Sequence, residues 1–473
     1  MDWFNSSFLI ESITWGWTLS IYLLGIVATI DAIWNGRTSQ GTLAWVVALV
    51  FLPFIALPLY LFFGSRKFHG YKKVRRSSSK VLAKLNKKYL IQPNNRSNTQ
   101  SAAISPLEKL ARLPQTEHNQ VKLLINSEQT FQHIFQEIES AQHCILLQFY
   151  IINNDRLGQR LKQALISKAL EGIDIYFLYD QIGSSNLDNK FLKPMTDAGI
   201  HCSQFNPFKF HRRLQLNFRN HKKLIVIDNK ISFIGSHNIS DQYLSHNVKI
   251  DRWRDTHLQI NGPAALAAQL AFTEDWHLVK GRIPNLSWQT QATTGNSKVL
   301  ILSGGPADML ETTSLSFVQL ILQAEQRLWI ATPYFIPDLK VMGALQLAAL
   351  KGIDIKILLP KKTDSLLVTL AMKNYVTELS QLGIKFYQYE AGFMHQKVML
   401  IDQTISCIGS ANLDNRSLRI NFELNAIIEC KELASNVEKM LHDDLTSCKP
   451  FVEESGFFYK LLSKAARLLS PIL

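Results

Sequence analysis

A short polar pattern, HxKxxxxD, occurs twice in this chain of 473 residues. The first copy is His221, Lys223 and Asp228 in HKKLIVID, and the second is His395, Lys397 and Asp402 in HQKVMLID. Each copy continues, after the same number of residues, into a turn of small residues, GSHN at 235–238 and GSAN at 409–412. This duplication predicts a chain built from two similar halves.

Both copies lie in runs of aliphatic and β-branched residues that are typical of buried strands joined by a tight turn. Side chains alternate between the two faces of a strand, so each histidine and the lysine two residues later point the same way. The motif aspartate, seven residues after the histidine, points to the opposite face of a regular strand. We count Asp228 and Asp402 with the catalytic motif, but we expect them to act as structural ion-pair or hydrogen-bond partners.

The repetition extends beyond the motifs. Residues 139–155 align with 323–338, which pairs Tyr150 with Tyr334, and residues 169–180 align with 349–360 around a shared Gly-Ile-Asp-Ile. Each half reads as helix, strand, helix, strand, helix, strand and then the two motif strands, which predicts an α/β fold with buried sheets. The polar stretch 284–297 is the expected joint, giving a first repeat over 119–289 with motif 221–228 and a second over 290–473 with motif 395–402.

The N-terminal 65 residues are predicted to form a membrane hairpin. Hydrophobic residues make up 47% of the chain, and two apolar stretches, about 13–34 and 43–63, each have the roughly 20 residues needed to cross a bilayer. A cleaved secretory signal is not expected, because no Lys or Arg precedes Arg37. Pro53 and Pro58 are expected to bend the second stretch, which leaves a re-entrant or tilted hairpin open as an alternative to two full crossings.

A basic segment follows the hairpin and is continued by a flexible linker, together covering residues 66–118. Ten of the 51 Lys and Arg residues lie between Arg66 and Lys88 with no acidic residue among them, so the rest of the chain is nearly balanced against 38 acidic residues. The positive-inside rule then places the following domain in the cytoplasm. The segment is either a topology signal alone or also a site that attracts anionic lipid headgroups. The nearly neutral body disfavours nucleic acid as a partner.

Two histidines with two lysines suit displacement at a phosphodiester without a metal ion. One imidazole attacks phosphorus and forms a covalent phosphohistidine, while the other protonates the leaving alkoxide. The lysines and the turn residues are expected to hold the phosphoryl oxygens as charge develops on them: Lys223, Lys397, Ser236, Asn238, Ser410 and Asn412. No Cys, His or carboxylate spacing typical of a metal site is found, and no cofactor is expected.

The double HxKxxxxD pattern with its two GSxN turns resembles the signature of the phospholipase D superfamily. The tryptophan-bearing hairpin ending LYLFFGSRK, the segments WRDTHLQINGPA and GSANLDNRSLRINFELN, and the C-terminal ARLLSPIL resemble the bacterial cardiolipin synthases of that superfamily over essentially the whole chain. The resemblance implies an α/β fold in which two phospholipase D-like repeats pack face to face around one active site, preceded by a two-helix transmembrane hairpin. It also implies a multi-pass protein of the bacterial cytoplasmic (inner) membrane, with the catalytic domain on the cytoplasmic side.

The same resemblance implies the reaction and the residue roles. Phosphatidylglycerol is converted to cardiolipin and glycerol through a phosphatidyl-histidine, with His221 as nucleophile and His395 as acid. A carboxylate well beyond each motif fixes the imidazole tautomer, and Asp255 and Glu423 lie at comparable distances downstream of their histidines. The alternatives are ion pairs of Asp255 with Arg252 or Arg254, and of Glu423 with Arg416 or Arg419.

Other functions remain open on the sequence. A hydrolytic phospholipase D shares every catalytic residue, and a phosphatidyl transferase that uses phosphatidylethanolamine as donor differs only in headgroup selection. A phosphodiester nuclease is disfavoured by the balanced charge of the body, and a catalytically dead scaffold by the presence of both His and both Lys. A basic stretch before the first motif is either a headgroup pocket or a solvated loop: His211, Arg212, Arg213 and Arg219. The oligomeric state is left open.

Overall fold

The computed structural model describes residues 2–36, 39–64, 104–205, 218–244, 253–289, 292–452 and 456–470. They form two units, an N-terminal one up to Gly64 and a larger one from Ile104 onward. The basic segment from Arg66 to Lys88 lies outside the described residues, as do His211, Arg212 and Arg213. The lipid-binding and headgroup roles considered for those residues therefore stay predictions.

The N-terminal unit begins with a long apolar helix, α1, from Asp2 to Asn35. Its segment Ile13–Asn35 is long and apolar enough to cross a bilayer, in agreement with the first predicted span. Many large apolar side chains along this segment, such as Trp15, Val27 and Trp34, are exposed instead of packed into a protein core. Such a surface fits a lipid environment.

The second apolar stretch, predicted as one span over 43–63, is divided into three pieces. They are α2 (Ser39–Phe51), α3 (Pro53–Leu59) and a π-helix (Tyr60–Gly64). The division falls at Leu52 because the next residue, Pro53, has no N–H group with which to continue the helix. The bend expected at Pro53 is confirmed, whereas α2, with 13 residues, is shorter than the roughly 20 residues of a full crossing.

A polar contact joins the two apolar stretches. Tyr60 Oη donates a hydrogen bond to Asp31 Oδ2 at 2.7 Å, and Asn35 Nδ2 donates to Asp31 Oδ1 at 2.6 Å. A carboxylate in apolar surroundings is costly unless its oxygens accept hydrogen bonds. The three side chains therefore stabilise the return of the chain toward α1.

The larger unit starts with the first repeat, which has the predicted alternation of helices and strands over residues 126–235. Its elements are α4 (Ser105–Ala111), β1 (Thr116–Ile125), α5 (Asn126–Ser140), β2 (Cys144–Phe149), α6 (Arg156–Leu170), β3 (Asp174–Asp180), α7 (Asn189–Asp197), β4 (His201–Phe205), β5 (Leu224–Ile227), β6 (Ile231–Gly235), β7 (Trp253–Arg254), β8 (Thr256–Asn261) and α8 (Ala264–Lys280).

The second repeat follows the same order over residues 312–409, with two additional strands of two residues each. Its elements are β9 (Ser297–Gly304), α9 (Thr312–Leu322), β10 (Arg327–Ala331), β11 (Phe335–Ile336), α10 (Leu339–Leu350), β12 (Asp354–Pro360), α11 (Leu366–Ser380), β13 (Lys385–Tyr389), β14 (Phe393–Met394), β15 (Val398–Ile401), β16 (Ile405–Gly409), β17 (Leu413–Asp414), α12 (Asn415–Arg419), β18 (Glu423–Glu429), α13 (Lys431–Thr446), β19 (Cys448–Pro450) and α14 (Phe457–Leu468).

Equivalent residues set the same local structure in both repeats. Asp155 caps the N-terminus of α6 by accepting from Gly158 N at 3.0 Å, and Asp338 caps α10 by accepting from two backbone N–H groups of its first turn. The glycines of the shared Gly-Ile-Asp-Ile, Gly172 and Gly352, have φ values of 90° and 81°. Glycine adopts this left-handed conformation without a steric cost, so both helices turn into the next strand in the same way.

One mixed sheet runs through both repeats. Among the described residues it has fifteen strands, in the order β19-β13-β12-β10-β15-β16-β18-β9-β1-β8-β6-β5-β2-β3-β4. The central neighbours β1 and β9 are the first strands of their repeats and pair antiparallel, with Thr116 opposite Val299. The α/β fold with two repeats is therefore confirmed, and the repeats meet edge to edge through a shared hydrogen-bond ladder.

The motif strands lie in the middle of each half of this sheet. All residues of β5 and of β15 are buried, which agrees with their unbroken aliphatic sequences. At the end of each strand the chain reverses through a tight turn in which the motif aspartates, Asp228 and Asp402, have φ values of 52° and 50°. The other end of each strand leads to the motif histidine.

Candidate active site

Backbone contacts between the repeats position the two motif histidines. His221 lies three residues before β5, and its backbone N donates to the carbonyl of Phe422 at 2.9 Å. His395 lies between β14 and β15, and its backbone N donates to the carbonyl of Arg254 at 2.8 Å. Each histidine is thus held by a segment of the opposite repeat. The sequence predicted that the HxK residues lie on the motif strands, but in the structure they come directly before those strands.

Each imidazole also takes its carboxylate partner from the opposite repeat. His221 Nδ1 lies 3.0 Å from both carboxylate oxygens of Glu423. His395 Nδ1 lies 2.8 Å from Asp255 Oδ2. The sequence predicted both carboxylates as imidazole partners, but paired each with the histidine of its own repeat. The exchange follows from the backbone register, because each carboxylate comes directly after the residue whose carbonyl accepts the histidine N–H.

Two of the arginines considered as alternative partners make ion pairs elsewhere. Arg254 Nη2 donates to Asp444 Oδ2 at 3.0 Å, and Arg419 Nε donates to Glu311 Oε1 at 2.9 Å. Arg252 lies outside the described residues. Asp255 and Glu423 are fully buried, so their main charged neighbours are the histidines and lysines of the site.

Burial favours neutral imidazoles. Desolvation lowers the pKa of His221 to about 4, although the charge of Glu423 acts in the opposite direction. Desolvation, followed by the charge of Lys397, lowers the pKa of His395 to about 3. A neutral imidazole that donates its Nδ1–H to a carboxylate has an unprotonated Nε2. The arrangement therefore prepares Nε2 to act as a nucleophile or as a base.

The partner carboxyl groups remain ionised. Burial alone raises the pKa of Asp255, but its interactions with His237, His395 and Lys397, including the hydrogen bond with His395, outweigh burial and lower the pKa overall. For Glu423 burial likewise raises the pKa, and its interactions with His221, Lys223 and Ser410 lower it overall. Each carboxylate can therefore stabilise an imidazolium as it forms.

The two motif lysines are buried beside their histidines, as expected. Nζ of Lys223 and of Lys397 donates at 2.6 Å to the carbonyl of His221 and of His395, respectively. Burial lowers the pKa of Lys397 to about 8 and holds that of Lys223 well below its usual range. Lys397 Nζ also lies 3.2 Å from His395 Nε2, and among the described residues His221 has no such contact.

The serines of the two turns hold carboxylates. Ser410 Oγ donates to Glu423 Oε2 at 2.5 Å, and Ser236 Oγ donates to Asp255 Oδ1. Both serines are fully buried. These contacts give both serines a supporting role, and their contact with phosphoryl oxygens stays a prediction. They position the groups that orient the imidazoles.

The asparagines of the two turns border the site. Asn238 Nδ2 donates to the hydroxyl of Tyr243 at 2.6 Å, and its Oδ1 accepts from Ile151 N at 3.2 Å. Asn412 Nδ2 donates to Asp414 Oδ2 at 3.0 Å. Both line the cavity described below, so contact with a phosphoryl oxygen stays a prediction for them.

The motif aspartates lie at the far ends of their strands. Asp228 accepts three backbone hydrogen bonds, from Gln142, His143 and Cys144, at 2.7–2.9 Å. Asp402 accepts the equivalent bonds from the residues that lead into β10. These carboxylates anchor the start of the neighbouring strand, as the alternation of strand faces predicted. Their described contacts are therefore structural, and the catalytic part of their assignment stays a prediction.

The two histidines open on one cavity of about 920 Å³ that is lined by both repeats. Its two flanks differ. Beside His221 lie Tyr150, with ring centres 5.0 Å apart, and Arg219 and Arg416. Beside His395 lie rings instead, with centres 4.9–6.1 Å from the imidazole: Trp253, Tyr243 and Phe393. Arg219 and Phe393 occupy equivalent positions, two residues before their histidines.

Several lining residues had no predicted role. Tyr150 and Tyr334 both line the cavity. Their alignment between the repeats was the one sequence feature that could have indicated a role in the site. Arg416 was considered only as a possible partner of Glu423, and Trp253 and Tyr243 carried no motif. Arg219 lines the cavity, as the headgroup-pocket alternative expected. Within the described part of the chain, no group of three or more His, Cys, Asp or Glu side chains could hold a metal ion.

Known proteins resemble this chain over most of its length. The family described as "Cardiolipin synthase, PLD-like domain" matches residues 134–267 and 317–445, and "Phospholipase_D-nuclease N-terminal" matches residues 23–65. Cardiolipin synthase A of Pseudomonas putida is 40% identical over 464 residues, covering 96% of this chain and 97% of that protein. Cardiolipin synthase A of Pseudomonas syringae pv. syringae is 41% identical over the same length and coverage.

A solved structure shares the fold. Phosphatidylserine synthase of Haemophilus influenzae matches 79% of this chain and 100% of its own chain, with a TM-score of 0.62 and 16% identity. The fold and the paired half-sites thus define an enzyme of the phospholipase D type. Within that class, the chain belongs to the cardiolipin synthase family. It is a membrane-associated protein whose substrates are phospholipids.

Proposed function

We propose that this enzyme transfers the phosphatidyl group of one phosphatidylglycerol to a hydroxyl of a second, forming cardiolipin and releasing glycerol. The observation that supports this reaction is the crossed pair of histidine–carboxylate units opening on one cavity. One imidazole binds phosphorus while the other moves the proton, so a single cavity with both suits a two-step transfer. Membership of the cardiolipin synthase family supports the identity of the product.

In the first step, Nε2 of His221 attacks the phosphorus of the donor lipid. The N–P bond forms as the bond from phosphorus to the glycerol oxygen breaks, and His395 delivers a proton to that oxygen. Glu423 accepts the Nδ1–H of His221 and stabilises the positive charge that develops on the imidazole. The products of this step are free glycerol and a phosphatidyl-histidine.

In the second step, His395 takes the proton from the hydroxyl group of the acceptor lipid. The acceptor oxygen then bonds to phosphorus as the N–P bond breaks, which regenerates neutral His221. Asp255 stabilises the protonated state of His395. The reaction is reversible because the bonds broken and formed in the two steps are of the same kind.

The lysines neutralise charge on the phosphoryl group in both steps. An entering phosphodiester attracts the ammonium groups of Lys223 and Lys397, which are buried in the same site. The negative charge of the bound phosphodiester and the movement of Lys397 toward it both favour the imidazolium form of His395, so its pKa rises. His395 then takes up from solvent the proton that it donates to the glycerol oxygen.

The contact between Lys397 and His395 supports the division of roles. Lys397 Nζ occupies the neighbourhood of His395 Nε2 at 3.2 Å, so this nitrogen is engaged in the resting site. The Nε2 atom of His221 has no equivalent contact among the described residues. His221 is therefore the better nucleophile and His395 the better proton carrier.

The cationic flank of the cavity supports a second lipid as the acceptor in preference to water. Burial and the charge of Arg219 lower the pKa of Arg416, although Asp414 acts in the opposite direction. Two guanidinium groups held in one flank repel each other, and an anion between them relieves that repulsion. A second phosphate, in addition to the one at the histidines, fits this flank.

The substrates and the N-terminal helix place the reaction at a bilayer. We propose a multi-pass protein of the bacterial cytoplasmic membrane, with the catalytic unit on the cytoplasmic side. The support is the span Ile13–Asn35, the second apolar stretch and the excess of Lys and Arg that follows it. Phosphatidylglycerol and cardiolipin are then reached from the membrane surface.

The experiment that tests this function follows labelled phosphatidylglycerol with the purified full-length chain in mixed micelles. Formation of cardiolipin with an equal amount of glycerol supports the proposal. Phosphatidic acid as the main product would make the enzyme a hydrolase. Cardiolipin that forms only after phosphatidylethanolamine is added would identify that lipid as the donor. The matched control is the His221→Ala variant, which is expected to give none of these products.

A further inference from the structure

The C-terminal helix α14 exposes an apolar face. Five large side chains on this face are between 56% and 81% exposed: Phe457, Phe458, Leu461, Leu462 and Leu468. At about 100° per residue these positions, with the exposed Ala465 between them, fall within an arc of about 140°. The outward arc of the helix is thus apolar without interruption, the reverse of an ordinary surface helix.

The opposite face of α14 is fixed to the catalytic unit by polar contacts with α11. Ser463 Oγ donates to the carbonyl of Leu370 at 2.7 Å, and Asn374 Nδ2 donates to the carbonyl of Ser463 at 2.7 Å. Arg467 Nη2 donates to Glu378 at 2.8 Å. The helix is therefore docked in a defined orientation, and its apolar face points away from the unit because the polar face is bound.

Charge on the same helix suits an anionic surface. Residues 457–468 contain no acidic side chain, and Lys460 and Lys464 border the apolar arc on one side. An apolar face of Phe and Leu flanked by Lys is the pattern of a helix that lies in the membrane interface. Lysine stems extend along the apolar surface while their ammonium groups reach lipid phosphates.

We propose that α14 is a membrane-docking surface that inserts its apolar face into the headgroup region of an anionic phospholipid bilayer. The inference rests on membrane association of the chain and not on the reaction proposed above. A second copy of the chain fits less well as the occupant. A helix of 12 residues presents an area of only about 18 by 10 Å, far below the roughly 800 Å² that each partner buries in a stable interface.

The first test measures how deeply α14 enters the bilayer. Spin labels are attached to the full-length protein in vesicles of phosphatidylcholine with phosphatidylglycerol, after Leu461→Cys or, as control, Leu170→Cys, an exposed leucine at the end of α6. Spectra of the labelled unsubstituted chain are subtracted. We expect the label at 461 to be reached by oxygen and shielded from a water-soluble nickel chelate, with the opposite result at 170. A label at 461 that is open to the chelate would overturn the proposal.

The second test separates docking from chemistry. Leu461→Ser with Leu462→Ser should lower turnover of phosphatidylglycerol in vesicles by at least about tenfold, because two apolar side chains no longer enter the bilayer. Turnover of a short-chain, water-soluble phosphatidylglycerol should be unchanged, and this also verifies that the variant is folded. Leu170→Ser with Leu350→Ser, two exposed leucines on other helices, is the matched control.

The remaining outcomes are also decisive. Equal vesicle activity of the paired-serine variant and the control would overturn the proposal. So would a dimer, measured by analytical ultracentrifugation in detergent, that the paired-serine change dissociates, since α14 would then serve a second copy of the chain. Absence of turnover with both vesicle and soluble substrates in the unsubstituted protein would instead contradict the proposed reaction and leave the depth measurement as the test of docking.

Discussion

His221 and Glu423 are 202 residues apart in the chain and form one catalytic pair, with the imidazole Nδ1 3.0 Å from each carboxylate oxygen. His395 and Asp255 form the reciprocal pair at 2.8 Å. Because each pair takes one member from each repeat, neither repeat contains an intact histidine–carboxylate unit. The site therefore depends on the register in which the repeats meet.

The first prediction concerns the nucleophile. A phosphatidyl ester of p-nitrophenol needs no proton donor, because its leaving group departs as a stable phenolate. With this substrate, His395→Ala should release a burst of phenolate that matches the enzyme concentration and then stall, since the acceptor hydroxyl is no longer deprotonated. His221→Ala should give no burst. Stopped-flow absorbance and the mass of the intact protein measure both outcomes, and a burst from the His221 variant alone would reverse the two roles.

The second prediction concerns Ser410. Its hydrogen bond to the charged Glu423 is of a kind that contributes about 1.5–3 kcal/mol, so Ser410→Ala should lower kcat/KM by roughly 10- to 100-fold. Glu423→Gln should lower kcat by about 10⁴-fold, by analogy with the same change in a catalytic triad. In that background Ser410→Ala should have little further effect, because the serine acts through the carboxylate.

The control for this double-mutant cycle is Ser406, a buried serine of β16 whose Oγ has no hydrogen-bond partner among the described residues. Ser406→Ala should leave kcat/KM within a factor of about two, since an unpartnered hydroxyl contributes little. If the losses of kcat/KM from the Ser410 and Glu423 changes are additive, Ser410 does not act through the carboxylate. That result would instead indicate that Ser410 contacts the phosphate directly.

The third prediction concerns the motif aspartates. Asp228→Asn keeps a residue type that tolerates positive φ but removes the charge that accepts three backbone N–H groups. Each such bond contributes roughly 1.5–3 kcal/mol, so the thermal unfolding temperature should fall clearly. The kcat of the protein that remains folded should be unchanged. A variant of unaltered stability with a large loss of kcat would show a direct catalytic role instead.

The fourth prediction is the pH profile of the pre-steady-state rate of phenolate release from the p-nitrophenyl ester, a step that needs no proton from His395. Burial holds the pKa of His221 at about 4, and the nucleophile must be neutral, so the rate should fall as the pH drops through about 4. Lys397, with its pKa lowered to about 8, must be charged to bind phosphate, so the rate should fall as the pH rises through about 8. Lys397→Arg keeps its charge at all accessible pH values and should move the alkaline limb upward. An alkaline limb that stays in place would assign it to another group.

The fifth prediction concerns the two arginines of the cavity. Replacing Arg219 and Arg416 by Gln should lower the ratio of cardiolipin to phosphatidic acid, because a weakly held acceptor lipid competes less well with water. The ratio is measured by chromatography of labelled products. Lys340→Gln, a change in an exposed cation paired with Glu311 away from the cavity lining, should leave the ratio unaltered. An unchanged ratio of cardiolipin to phosphatidic acid in the arginine variant would contradict the proposal that these arginines bind the phosphate of the acceptor lipid.

The sequence predicts the repeats and the reactive groups well because both are local patterns that occur twice. It predicts the structural role of Asp228 correctly, since strand alternation decides which face a side chain takes. The exchange of Glu423 and Asp255 between the histidines depends on contacts between distant segments, and periodicity within one repeat carries no information about that register. The hydrogen bond from Ser410 to Glu423 could not be predicted, because a hydroxyl near a motif can contact the substrate or a buried carboxylate equally well.

The unequal flanks of the cavity have a consequence for the division of labour between the histidines. Two identical subunits related by a twofold axis would place the same residue beside both imidazoles, and the two would be equal in basicity and access. One chain that contains both repeats is free of this constraint, and here Arg219 precedes one histidine and Phe393 the other. Because both repeats lie in one chain, their sequences can differ, and the two histidines need not be equivalent. One imidazole can then be specialised for attack on phosphorus and the other for proton transfer.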